Sequence, residues 1–215
     1  MGNVKYADCA IFAAGIPVSE QRVRAFVGTD TYLIAADAGY AFCRSLGLCP
    51  QLVVGDFDSG EPTGAVEGTE IVRLNPVKDE TDTASALCRA LDRGFRNIVL
   101  FGATGGRLDH TFANLDLCAF AKGAGAALTV VDDHHEIFAL RNECRTICGD
   151  FEKYVSVFPV GGACTVSLRG FKYPLDHRTL EPFCGLGVSN ETTADRAEIT
   201  VHEGTALIFV TDKDR

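Results

Sequence analysis

The sequence predicts an α/β protein: a mostly parallel sheet with helices on both faces, plus a C-terminal all-β sandwich domain. Two observations predict this fold class. Apolar strand runs alternate with helix signals over the first ~140 residues, which is typical of βαβ units. After about Asn142 the strand signals continue, separated by turn signals and without a convincing helix. We therefore assign residues 1–142 to an α/β domain and residues 143–215 to a β-sandwich domain.

The elements of the first part follow from short apolar runs and helix caps. Strands are predicted at 9–14, 32–36, 52–54, 70–74, 97–101 and 127–131. Helices are predicted from Ser19 to Val27, up to Arg44, after a cap at Thr81 or Asp82, and after a cap at Asp109. In the last of these, the spacing predicts that Phe112, Leu115 and Ala119 face the core. The second part has predicted strands at 154–158, 164–168, 198–201 and 206–210.

Composition excludes several classes of protein. The chain has 215 residues, 47% of them hydrophobic and 23% charged, which suffices for a real core. Its net charge of -9 disfavours a nucleic-acid partner. No apolar run approaches the ~20 residues that cross a bilayer, so no membrane association is expected. Nine cysteines, mostly single and inside apolar elements, indicate buried, reduced thiols and a cytoplasmic location.

Acidic motifs follow three of the predicted strands. Asp56 and Asp58 come directly after the apolar run 52–54, with one residue between them. Hard carboxylate oxygens at a strand end suit Mg²⁺, which keeps coordination positions for phosphate. The alternative is an Asp-rich turn completed by Ser59 and Gly60.

The second motif is 78–82, Lys-Asp-Glu-Thr-Asp. A helix cap explains one of its acids but not the cluster of Asp79 and Asp82 beside Lys78. A cation next to several acids is what a phosphate–metal site needs. The third motif is 105–110, Gly-Gly-Arg-Leu-Asp-His, which follows the predicted strand at 97–101. Three acidic strand-end motifs on one edge therefore indicate a metal–nucleotide enzyme.

A glycine-rich turn at 102–107 lies between a predicted strand and a predicted helix. Its backbone, including Thr104 and Gly106, can approach a phosphate, and Arg107 can bind one bidentately. The chain has neither a P-loop nor a Rossmann glycine motif. His110 is either a proton shuttle or, more commonly for such a position, a packing or hydrogen-bonding residue. The pair His134 and His135 is interpreted as part of a solvated turn without chemistry.

In this order, the motifs at 37–39, 55–59, 78–82 and 105–110 resemble those of the thiamine pyrophosphokinase family, as do 170–175 and 185–191 near the C-terminus. The resemblance implies transfer of pyrophosphate from ATP to the hydroxyethyl group of thiamine, giving thiamine diphosphate and AMP, in a homodimer. It further implies these site residues: Asp56, Asp58 and Asp82 as magnesium ligands; Asp79 in the same acidic shell; Asp37, Arg107 and Asp109 on the nucleotide side; Ser189 and Asn190 in the thiamine pocket.

Two departures from the family pattern are present. Position 40 is Tyr in a motif where many members have Asp-Gly-Gly-Ala-Asn, and the chain has no tryptophan to stack on thiamine. The alternatives are a pyrophosphokinase for another alcohol, such as a hydroxymethyl pterin, and a non-catalytic nucleotide or thiamine-phosphate binding module.

Overall fold

The structure, a computed structural model, describes residues 6–57, 68–77, 79–148 and 153–213. The helices are α1 (Glu20–Arg24), α2 (Gly39–Ser45), α3 (Asp82–Asp92) and α4 (Leu108–Gly123). The strands are β1 (Cys9–Phe12), β2 (Tyr32–Ala36), β3 (Leu52–Gly55), β4 (Glu70–Arg73), β5 (Asn97–Phe101), β6 (Ala127–Val131), β7 (His135–Cys148), β8 (Lys153–Pro159), β9 (Cys164–Arg169), β10 (Leu175–Leu180), β11 (Asn190–Glu191) and β12 (Arg196–Asp212).

The first six strands form a parallel sheet in the order β4-β3-β2-β1-β5-β6. The chain builds outwards from β1 to β4 and then returns to place β5 on the other side of β1. Strand order therefore reverses between β1 and β5, and such switch points leave a crevice at the carboxyl ends of the strands. β7 extends the sheet antiparallel to β6.

Helices cover both faces of this sheet, as the sequence predicts. On one face, Leu87 of α3 and Cys118 of α4 pack on strand residues such as Ile11 and Leu100. On the other face, α1 and α2 bury Val23 and Phe42 against the alternate side chains of the same strands. The central strands β1, β2, β3 and β5 are apolar on both sides because both of their faces are buried, whereas the edge strand β4 is largely exposed.

The C-terminal part is the predicted β-sandwich, and two long strands connect its layers. β12 has a register shift between Val201 and Thr205. Its first half pairs with β9, and its second half pairs with β8. β7 accompanies both halves. The layers enclose an apolar core that includes Val166, Ile199 and Ile208. The boundary assigned at 142/143 falls inside β7, so the domain division stays a prediction.

The prediction for α4 was wrong in two respects. Its N-cap is Arg107, so Asp109 lies in the first turn and is not the cap. Phe112 is 67% exposed rather than buried. The helix turns a different stripe towards the sheet, spaced at i, i+4 and i+7: Asn114, Cys118 and Ala121.

The nine cysteines are free, as predicted, but the expectation that they are buried holds only in part. Burial raises the pKa of Cys9, Cys43 and Cys118 to about 12, which keeps these thiols protonated. Four others are exposed: Cys49, Cys144, Cys148 and Cys184. Among the described residues, no helix has the length and apolar character needed to span a membrane.

Because β7 and β12 run through both parts of the fold, we expect the cores of both parts to unfold together. Leu100→Ala and Ile199→Ala each remove a fully buried side chain and should lower the free energy of unfolding by about 2–5 kcal/mol. Circular dichroism during urea unfolding should show one transition for each variant. Thr200→Ala, a neighbour of Ile199 outside the core, is the control and should change stability by less than about 0.5 kcal/mol. Two separate transitions, each sensitive to only one of the core variants, would contradict the coupling.

Candidate active site

Three carboxylates meet at the carboxyl edge of the sheet. Asp37 follows β2, Asp56 follows β3, and Asp82 is the first residue of α3. Each offers an oxygen, and these three oxygens lie within 4.8 Å of one another in a half-buried setting. β2 and β3 are adjacent and parallel, so their ends coincide. Two of the predicted metal ligands, Asp56 and Asp82, are thus together, whereas Asp58 lies outside the described residues.

Asp37 is the member of this cluster whose role the sequence analysis assigned differently, to the nucleotide. Its backbone N–H donates to the carbonyl of Val54 (2.8 Å), which ties the end of β2 to β3. Its φ is +48°, and Phe57, next to Asp56, has a φ of +57°. Such strained conformations concentrate at functional sites. Gly39 is required here because a Cβ at this position would collide with the carbonyl oxygen of Phe12.

A cavity of about 240 Å³ is lined by two members of this cluster, Asp37 and Asp82. The start of α3 and His110 of α4 also line the cavity. Thr81 is the N-cap of α3, since its Oγ1 accepts a hydrogen bond from the N–H of Ala84 (3.1 Å). Asp82 is therefore a first-turn residue, not the cap. His110 is exposed, so of the two ordinary roles predicted for it, packing does not hold, and a hydrogen-bonding role stays a prediction.

Other predicted site residues do not line this cavity. Asp79 is exposed and is not among the residues that line the cavity, and Lys78 lies outside the described ranges. Arg107 binds the Asp109 carboxylate with two hydrogen bonds, of 2.6 and 3.1 Å. This guanidinium lowers the pKa of Asp109 to about 2. Both side chains are solvent-exposed at the start of α4.

The glycine-rich turn after β5 packs closely on the loop after β1. A Cβ on Gly102 would lie 2.5 Å from the carbonyl oxygen of Ala13, and the Thr104 carbonyl accepts the N–H of Ile16 (3.0 Å). Gly105 and Gly106 have φ of +81° and +66°. Within the described part of the chain, their amides donate to no backbone or side-chain acceptor. These amides are available to an anion.

Asp132 and His135 form a second polar centre, which the sequence analysis dismissed as a solvated turn. Asp132 Oδ2 accepts the Thr104 hydroxyl (2.8 Å), and Oδ1 lies 2.8 Å from His135 Nδ1. Burial alone would raise the pKa of Asp132, but hydrogen bonds from His135, the His134 amide and Thr104 lower it well below its usual range. The same contact raises the pKa of His135. No sequence signal separates this turn from an ordinary polar one.

Ser189 and Asn190, the two predicted thiamine-pocket residues of the motif at 185–191, differ in exposure and contacts. Ser189 is exposed, has a φ of +55°, and donates its N–H to Ser156 Oγ (3.0 Å). Asn190 is 2% exposed. The side-chain amide of Asn190 makes two hydrogen bonds with the backbone of Tyr173. Its Oδ1 accepts from the N–H of Tyr173 (3.0 Å), and its Nδ2 donates to the carbonyl of Tyr173 (2.8 Å). Asn190 therefore fixes the backbone beneath Tyr173, whose side chain is 58% exposed.

Fold and site together define a class: α/β proteins that bind ligands in the crevice at the carboxyl edge of an open parallel sheet. The profile of the thiamin pyrophosphokinase catalytic domain matches residues 23–130. The profile of the thiamin pyrophosphokinase vitamin B1 binding domain matches residues 134–206. The chain belongs to the thiamin pyrophosphokinase family, which consists of ATP-dependent diphosphokinases.

Individual relatives agree with this assignment. Thiamine pyrophosphokinase of Bacillus subtilis (strain 168) is 29% identical over 199 residues, which are 88% of this chain and 91% of the relative. A crystal structure of the Bacillus subtilis thiamine pyrophosphokinase aligns with a TM-score of 0.86 at 26% identity, covering 96% of this chain and 99% of that one. That of Geobacillus thermodenitrificans thiamin pyrophosphokinase has a TM-score of 0.84 at 29% identity, with coverages of 96% and 98%. These findings confirm the predicted family, fold class and activity over the pterin and non-catalytic alternatives.

The Asp132–His135 pair should make stability depend on pH. Because the pKa of His135 is raised in the folded state, its contribution is fully present below the ordinary histidine value of ~6.5 and is lost as pH rises through the raised pKa. His135→Gln should therefore lower the free energy of unfolding by about 1 kcal/mol near pH 6 and by less near pH 9. Urea unfolding across this range measures the difference. His134→Gln is the control, since His134 is 73% exposed. A difference that grows with pH would refute the assignment.

Proposed function

We propose that the chain transfers pyrophosphate from MgATP to the hydroxyethyl group of thiamine, with Asp37, Asp56 and Asp82 as magnesium ligands. The observation that supports this most is the meeting of three carboxylates at the same edge of the parallel sheet as the glycine-rich turn after β5. Asp58 is retained as a proposed ligand, although it lies outside the described residues.

The donor set fits magnesium. Carboxylate oxygens are hard ligands, and Mg²⁺ is commonly held by one or two of them together with substrate phosphates. Three carboxylates this close repel one another unless a cation or proton compensates. When bound, Mg²⁺ supplies charge neutralisation and orientation of the phosphates. Histidine and cysteine, which transition metals favour, do not enter the cluster in the described residues.

The protein groups around the cluster have distinct proposed tasks. The amides of Gly105 and Gly106 hold phosphate oxygens, and the exposed Arg107 moves from Asp109 to the polyphosphate when the nucleotide binds. Thr104 fixes the turn through Asp132. Lys78 and Asp79 stay proposed contacts on the nucleotide side.

The reaction needs positioning more than a strong base, because phosphoryl-type transition states are loose. The alcohol of thiamine attacks the β-phosphorus, its proton passes to an aspartate of the cluster, and AMP leaves. His110, which lines the cavity, is a second proton acceptor within the same space.

On the thiamine side, Ser189 is a proposed direct contact, and Asn190 is proposed to act by positioning Tyr173. We further propose a homodimer in the cytoplasm, a division at 142/143, and the absence of nucleic-acid and membrane partners. Support for a dimer comes from large apolar side chains left exposed, among them Leu108 and Phe112 on α4 and Phe183.

Asp56→Asn and Asp82→Asn should each reduce turnover about 100-fold or more, since each removes a charged ligand without changing the side-chain volume. The measurement is AMP release from ATP and thiamine in the presence of Mg²⁺, with circular dichroism to check folding. Asp116→Asn, an exposed aspartate on α4, is the matched control and should keep normal turnover. If the site variants are as active as this control, the carboxylate cluster does not carry the reaction.

Asp37→Asn distinguishes a metal ligand from a nucleotide contact. As a ligand, Asp37 should set metal affinity, so the variant should raise the Mg²⁺ concentration for half-maximal activity about tenfold or more. Calorimetric titration with Mn²⁺ should show a matching loss of affinity. If only the KM for ATP increases and the metal affinity is unchanged, Asp37 contacts the nucleotide and is not a metal ligand.

A further inference from the structure

A cleft of about 280 Å³ lies in the C-terminal half of the chain. Most of its lining comes from β7, and Lys153 of β8 and Val210 of β12 contribute the rest. In the described part of the chain, it shares no lining residue with the acidic cavity, and no residue with a proposed role in the reaction lines it. We call this space the β7 cleft, and its chemistry is separate from that of the candidate active site.

Arg145 stacks on the aromatic ring of Phe138 in this cleft. The two residues belong to different halves of β7, since Phe138 pairs with Ile208 of β12 and Arg145 pairs with Ile199. A straight strand between these positions would span about 23 Å. The Cζ atom of Arg145 nevertheless lies 3.8 Å from the centroid of the Phe138 ring, so β7 bends between them, where its register with β12 shifts. Stacking orients the planar guanidinium before any ligand binds.

Arg145 has neither a hydrogen bond nor an ion pair to any other residue that the structure describes. The carboxylates whose charges act on it are those of Glu136 and Glu143. Both are engaged elsewhere, because Glu136 binds Arg22 (2.7 Å) and Glu143 binds Lys122 (2.5 Å). The chain has 29 acidic and 20 basic side chains, so partners for an arginine are plentiful. The N–H groups of this guanidinium are therefore available to a ligand.

Lys153 brings a second cation to the cleft. Its Nζ donates to Asp212 Oδ1 (2.9 Å), and the other carboxylate oxygen of Asp212 lies 3.4 Å from His134 Nδ1. An ammonium group has three N–H donors, so Lys153 can donate to a ligand while it keeps this ion pair. Glu136 also lines the cleft, but its pairing with Arg22 offsets its charge. The charges left to a ligand in the cleft are therefore positive.

We propose that the β7 cleft binds a small oxyanion, a phosphate or a carboxylate, with Arg145 as its main contact and Lys153 as the second. A guanidinium presents paired N–H groups that match two oxygens of such a ligand. Phe138, Ile147 and Val210 supply apolar walls, so the cleft can also hold a short aliphatic part of the ligand. The proposal is independent of the proposed function, because the two sites share no residue.

The first test titrates two probes, inorganic phosphate and butyrate, into the wild-type protein without Mg²⁺, nucleotide or thiamine. NMR follows the Nε–H signal of Arg145 and the amide signals of residues 146–148. At least one probe should shift these signals with a Kd of about 1 mM or tighter. The probe that binds identifies the source of the oxyanion as phosphate or carboxylate. If neither probe shifts them, Arg145 is only an inward-pointing charge that protects the edge of the sandwich, and the proposal is overturned.

Variants locate the bound probe. Arg145→Gln should weaken binding about tenfold, because a charge-assisted pair of hydrogen bonds is lost. Arg145→Lys keeps the charge and loses the fork, so its affinity should lie between those of Arg145→Gln and wild type. Arg141→Gln, an exposed arginine of the same strand outside the cleft, is the matched control. Binding that is lost in Arg107→Gln and kept in Arg145→Gln would place the probe at the glycine turn and overturn the proposal.

The second test uses Cys148, an exposed thiol that lines the cleft, with the exposed Cys144 outside it as the internal control. Iodoacetate carries a carboxylate and iodoacetamide is neutral, and each alkylates a thiolate with loss of iodide. Arg145→Gln should lower the ratio of the iodoacetate rate to the iodoacetamide rate severalfold at Cys148 and less at Cys144. Peptide mass spectrometry measures both rates. An equal ratio at Cys148 in wild type and Arg145→Gln would show that the cleft does not attract oxyanions through Arg145 and would overturn the proposal.

Discussion

Electrostatic repulsion among Asp37, Asp56 and Asp82 is the constraint around which the catalytic half is organised. Their oxygens stay within 4.8 Å because separate elements hold them: the ends of β2 and β3 and the first turn of α3. Left-handed backbone at Asp37 and Phe57 adds to the energetic cost. Burial of apolar side chains on both faces of the sheet offsets that cost. The protein thus keeps three like charges close together, an arrangement that a divalent cation would stabilise.

Two long antiparallel strands, β7 and β12, connect the sheet that carries the carboxylates to the C-terminal sandwich. β7 and β12 extend the edge of the catalytic sheet and then continue into the sandwich, so the two halves share backbone hydrogen bonds rather than a flexible linker. The β8 edge of the sandwich is consequently held at a set position relative to the glycine turn. A cleft with Thr104 on one side and Phe158 on the other can therefore keep its shape without a ligand.

Sequence patterns predict those strands and site residues that depend on the local amino-acid sequence. Apolar runs gave β2, β5 and β6 with the observed bounds, and the strand-end carboxylates of Asp56 and Asp82 were assigned to one site. Features that depend on which strands pair with each other do not follow from these patterns. β7 begins with polar residues whose composition is typical of a turn, and its pairing with β6 and β12 makes it a strand. Asp37 joins the cluster because β2 lies next to β3, which spacing alone does not reveal. The inward stripe of α4 was misplaced because the exposed Phe112 satisfies the same periodicity as a buried residue.

The same limit explains the polar centre at the end of β6. A sequence of four polar residues, from Asp132 to His135, has the composition of a solvated turn. Its carboxylate nevertheless reaches the hydroxyl of Thr104, because β5 and β6 are neighbours in the sheet. The glycine turn is thereby anchored on both sides, by Ala13 and Ile16 after β1 and by Asp132 after β6. Its amides are preorganised by the strand order of the sheet, and a displacement of any of these three strand ends would change the position of a bound phosphate.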